Sequence, residues 1–103
     1  MPNYDIRRIY GLTMAHHRKL AALTPAELAE QAGLTESYVA LVEAGTANAD
    51  IREAQKLAAA LRKALADTEN ALPQGFGAFE LFTGYGLSDQ EKANAEATET
   101  APA

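Results

Sequence analysis

The sequence contains no cysteine and no tryptophan, few valines and isoleucines, and no lysine or arginine from Leu20 to Ile51. Each absence closes off a class of protein. Without cysteine there is no disulfide framework, no thiolate nucleophile and no cysteine zinc site. The scarcity of β-branched residues disfavours a sheet, and the abundance of Ala and Leu favours helix. No apolar run approaches the roughly 18 to 20 residues that span a bilayer, and the opening MPNYDIRRIYG lacks the apolar centre of a secretory leader. A soluble, cytoplasmic chain with no membrane partner is the expectation. A net charge of −5, from 9 Lys and Arg against 14 Asp and Glu, argues against non-specific attraction to nucleic acid, because that attraction comes largely from cations releasing counterions from phosphate.

What is present is enough apolar residue, 48% of 103, for one modest core. The expected fold is all-α, a compact four- to five-helix bundle. Apolar residues Ile6, Ile9, Tyr10, Met14, His17, Leu20 and Ala21 repeat at helical spacing, and Gly11 and Thr13 leave open either one bent helix or two shorter ones. Thr24-Pro25-Ala26-Glu27 combines a capping Thr, a first-turn Pro and a Glu at the third position, so a helix starts at Pro25 and runs to about Ala32. Gly33 supplies a residue free to take positive φ, Thr35 caps the next helix, and Gly45 ends it. Asp50 and Glu53 make a further capping box for a helix through Leu57, Leu61 and Leu65 to about Thr68 or Asn70.

Three segments follow: a helical domain over 1–72, an aromatic and glycine-rich extension over 73–87, and an acidic tail over 88–103. The tail is expected to be disordered from its polar, Ala- and Thr-rich composition. Phe76, Phe79, Phe82 and Tyr85 are too apolar to be left in water without reason. They fold back on the core, pair across a dimer or await a partner.

Chemistry is sparse. His16 and His17 are adjacent and diverge by about 100° on a helix, so they cannot chelate one metal well. Glu27 and Glu30 read as a cap and a solvated face rather than an acid–base pair. GFGAF and GYG lack the strand before and the helix after that a phosphate loop needs. No nucleophile constellation is present, so the expectation is no enzyme, no cofactor, no metal and no small-molecule substrate.

The stretch from about Met14 to Leu65 carries a recognisable pattern. Ala29 is small where two helices approach, Gly33 lies four residues on, Val39 and Val42 are three apart, and Leu28 and Leu34 complete the joint. With Glu43-Ala-Gly45, Asn48 and Leu57-Ala-Ala-Ala-Leu61, this half of the chain resembles the Cro/CI-type helix-turn-helix family of phage repressors and small bacterial regulators. The resemblance implies a structural ion pair between Arg18 and Glu43. It also implies a contact surface on the third helix and its flanks, formed by Glu36, Ser37, Tyr38, Ala40, Leu41, Thr46, Asn48 and Arg52.

The departures from the pattern fall where the family touches DNA. Pro25 stands where many members carry a Gln that contacts the backbone, and the third helix has no cation. Ser37, Ala40, Leu41 and Glu36 can still meet base edges. Phosphate anchoring is what the stretch lacks. Two readings remain open: a transcription regulator that binds double-stranded DNA weakly or as a homodimer, and a helix-turn-helix module that binds a regulatory protein partner.

Overall fold

The computed structural model describes residues 5–97. Six helices follow in order: α1 (Ile6–Leu20), α2 (Pro25–Ala32), α3 (Glu36–Glu43), α4 (Ile51–Leu65), α5 (Ala78–Thr83) and α6 (Asp89–Ala97). No strand occurs among the described residues. The all-α class is as the sequence implied, with one helix more than the upper expectation.

Local chemistry sets most of the boundaries. Thr24 and Glu27 form the reciprocal box at the start of α2, at 3.1 and 2.8 Å. Thr35 accepts from the Tyr38 N–H to cap α3. Gly33 closes α2 with φ +73°, a left-handed conformation that costs a side chain energy and glycine little. Ala22 takes the same region after α1, with φ +57° and no such exemption. Asp50 caps α4 by accepting from the Arg52 and Glu53 amides. The expected box is only half built, since the Asp50 amide goes to the Asn48 carbonyl and Glu53 pairs with Lys56.

α1 settles the open alternatives as one continuous helix. Thr13 does not cap a second helix, because its hydroxyl donates to the Ile9 carbonyl one turn back, at 2.6 Å. Gly11 does not break the helix either. It lies against α3, where a Cβ would collide with the Val42 carbonyl oxygen. α4 stops at Leu65, short of the expected end, with Thr68 turning back to cap the Leu65 carbonyl.

The core gathers Tyr10 and Met14 of α1, Leu28 and Ala29 of α2, Val39 and Val42 of α3, and Ala54, Leu57, Ala58 and Leu61 of α4. Each of the larger aliphatic side chains among them, once buried, contributes about 1.5–3 kcal/mol. The extension joins this core: Phe76 and Leu81 are fully buried and Phe82 is partly so. Phe76, Leu81 and Phe82 thus fold back on the core. Phe82 meets Tyr10 edge-on with centroids 5.0 Å apart, and Phe76 meets His17 at 5.2 Å.

Part of the segment expected to be disordered, Asp89–Ala97, forms α6. Ser88-Asp89-Gln90-Glu91 is itself a capping box, with the Ser88 amide on Glu91 Oε1 at 2.9 Å and the Glu91 amide on Ser88 Oγ at 3.1 Å. These caps hold the Glu91 carboxyl below the usual range. Helix-forming Glu, Lys and Ala then carry α6 to Ala97. The remainder of the expected tail, residues 98–103, lies outside the described residues.

Candidate nucleic-acid interface

α2 and α3 meet at a joint built from the expected residues. Leu28, Val39 and Val42 are fully buried, Ala29 almost so, and the Leu34 amide donates to the Ala29 carbonyl at 2.8 Å across the Gly33 turn. Leu34 packs against this core from its edge.

A second fastening comes from α1. Arg18 forks onto both oxygens of Glu43, with Nη2 3.0 Å from Oε1, and its third bond goes to the Leu23 carbonyl at 2.7 Å. The guanidinium thus ties the end of α3 to the turn before α2. A bidentate pair of this kind fixes orientation as well as distance. Arg8 lines a small cleft of about 90 Å³ with Leu12, Glu43, Ala44 and Gly45 at the end of α3.

With its inner side held in this way, α3 turns the opposite side outward. Glu36, Ser37, Ala40 and Leu41 are exposed, and Leu41 is 51% exposed. Tyr38 is not on that outer row. It is half-buried, and its hydroxyl meets that of Tyr10 at 3.1 Å. Thr46 finishes α3 by donating its hydroxyl to the Leu41 carbonyl. Asn48 is exposed on the following turn.

The charge carried by α2, α3 and the residue that caps α4 is negative. Glu27, Glu30 and Glu36 are exposed, and Asp50 is held below the usual carboxylate range, chiefly by the Glu53 amide. The nearest cations in sequence are on α4. Arg52 is 87% exposed and lies 3.7 Å from Asp50, while Lys56 is 3.7 Å from Glu53. Ile51 beside them is 63% exposed.

The four aromatic residues of the extension divide. Phe76 and Phe82 are committed to the core, whereas Phe79 is 71% exposed and Tyr85 partly exposed. Sequence reasoning missed Tyr10 as the partner of Tyr38. Its apolar spacing was visible, but a hydroxyl pair 28 residues apart leaves no local signal. Among the described residues no group of three or more His, Asp or Glu could hold a metal ion, and no helix is long and apolar enough to cross a membrane.

Two short helices, a glycine turn between them and an outward-facing second helix define a helix-turn-helix. The match to that family covers residues 15–67, about half of the sequence, and the chain belongs to the Cro/CI-type helix-turn-helix family, a family of non-catalytic DNA-binding regulators. Among solved structures, it is similar to a hypothetical transcription factor, NHTF, from Neisseria. The two share 28% identity and a TM-score of 0.61, over 91% of this chain and 90% of that one. The clp gene regulator ClgR from Corynebacterium glutamicum shares the fold, with a TM-score of 0.52 and 20% identity over 93% of this chain and 81% of that one. No curated protein matches the sequence. Coverage of 91% means that the likeness to the Neisseria structure extends well beyond the family domain, into the extension after residue 67.

Proposed function

We propose that this chain is a transcription regulator that binds duplex DNA through the outer face of α3, weakly as a single copy and more firmly as a dimer. On this reading it works in the bacterial or phage setting of its relatives, in the cytoplasm. The observation that carries it is the contrast between the two sides of α3. The inner side is fastened to α1 and α2 by Val39, Val42 and the Arg18–Glu43 pair, while Glu36, Ser37, Ala40 and Leu41 face solvent. A helix held so firmly on one side presents the other at a fixed position, which is what groove reading needs. Ser37 suits either base type, Leu41 and Ala40 a thymine methyl, and Glu36 a cytosine amine. Arg52 and Asn48 flank this row.

One observation favours a protein partner instead: the outer face has no cation and centres on a half-exposed leucine. An acidic apolar surface is better matched to a desolvated protein contact than to phosphate.

Fluorescence anisotropy with a random pool of duplexes, across a range of salt, separates the two. A DNA regulator enriches one sequence, and its log affinity falls linearly with log salt, with a slope of about 0.9 per phosphate neutralised. A partner binder shows background affinity for every duplex, insensitive to salt.

A further inference from the structure

Tyr38 is the third residue of α3, and its hydroxyl oxygen lies 3.1 Å from that of Tyr10. Either atom could donate, but the surroundings decide. Tyr10 is 0% exposed, and the Tyr38 oxygen is the hydrogen-bond partner its hydroxyl has among the described residues. A phenol carries one proton. If Tyr38 donated, the Tyr10 proton would sit in the core with no acceptor, an arrangement that folding disfavours. The pair therefore runs from Tyr10 to Tyr38, and the Tyr38 proton points away from it.

That proton belongs to a half-buried side chain on the contact helix, beside the first turn of α4. The carboxylates nearby face cations of their own. Asp50 accepts from the α4 amides and lies 3.7 Å from Arg52, and Glu53 lies 3.7 Å from Lys56. Burial, above all, holds both phenols above their ordinary value, so both remain protonated at neutral pH.

We propose that Tyr38 is a phosphate-binding residue: its O–H, oriented by Tyr10, donates to a non-bridging oxygen of the DNA backbone. This rests on the DNA reading above and deepens it. In a face without lysine or arginine, a neutral donor with a fixed direction anchors phosphate without needing a cation. Such a donor also leaves a distinctive signature. It adds affinity but releases no counterion, so it does not contribute to the salt slope.

The test uses the full chain and a duplex enriched by the wild type from a random pool. Tyr38→Phe alone is unsuitable, because it orphans the buried Tyr10 proton. The informative pair is Tyr10→Phe and the double variant Tyr10→Phe/Tyr38→Phe, since removing both hydroxyls leaves no unmatched group. The double variant is expected to bind about tenfold more weakly than Tyr10→Phe, with the same salt slope. Arg52→Ala, as a control cation, lowers the slope by about one. Equal affinity of Tyr10→Phe and the double variant overturns the proposal, as does a slope that changes when the Tyr38 hydroxyl is lost. If the wild type enriches no duplex at all, the DNA reading itself fails and the phosphate role falls with it.

Discussion

α3 and α5 are both short helices packed on α1, and each leaves one large apolar side chain in water: Leu41 on α3 and Phe79 on α5. They are fastened differently. α3 is held by a backbone approach at Gly11 and a charged fork from Arg18. The α5 side is held by aromatic rings and a neutral bond between His17 Nε2 and the Tyr85 carbonyl at 2.9 Å. Backbone contact and a charged fork specify position on the α3 side, whereas large buried rings supply most of the hold on the α5 side. The first suits a helix that presents a surface, the second a helix that closes a core.

The largest expected effect lies on the α5 side. Phe76→Ala removes a fully buried ring and should cost about 4 kcal/mol in denaturant unfolding. A cost near zero would make the extension an appendage rather than part of the core. On the other side, Gly11→Val drives side-chain atoms into the Val42 carbonyl and should cost about 3 kcal/mol, because backbone cannot step aside cheaply. Next comes Arg18→Ala, which strips Glu43 and the Leu23 carbonyl of their donors, for an expected loss of about 2 kcal/mol.

His17 extends the contrast to pH. Burial, above all, holds the imidazole below its ordinary value of 6.5, and Nδ1 has no hydrogen-bond partner among the described residues. The unfolded chain therefore takes up a proton more readily than the folded one. The stability this confers is complete above about pH 6.5 and is lost as pH falls through the lower folded value. The melting midpoint should drop on acidification in the wild type and drop less in His17→Gln. Equal pH dependence in the two proteins would mean that His17 plays no part in the acid response.

The smallest effects on stability are expected at the two exposed residues. Leu41→Glu and Phe79→Glu should each change it by only about 0.5 kcal/mol or less. Ligand binding should divide them, with Leu41→Glu abolishing it and Phe79→Glu leaving it intact. Loss of binding in both variants would mean that α5 shares the contact surface.

The α3 side was legible because its signals are local. Thr24 to Glu27, Gly33 and Thr35 fix two helices and the turn between them within twelve residues. The α5 side was legible only as a suspicion of apolarity. Gly77 and Glu80 form a start, with the Gly77 amide on Glu80 Oε1 at 2.8 Å, but a six-residue helix offers too few turns for a periodic pattern. α6 was hidden by composition: acidic, Ala-rich sequence reads as solvated chain, and Ser88 with Glu91 was the signal that outweighed it. The Tyr10–Tyr38 hydroxyl pair was beyond local reading, because its two members lie on different helices.

Gly11 bears on how this molecule meets whatever it binds. Where a side chain lies between two helices, each rotamer offers a slightly different spacing, and the pair can rock. Here backbone lies against backbone, so the gap between α1 and α3 is set by the size of one carbonyl oxygen. On the proposed DNA reading, the outer residues of α3 thus reach the duplex at a depth decided before the encounter. Little ordering of the protein remains to be done on contact, and the entropic cost of fitting falls on the ligand.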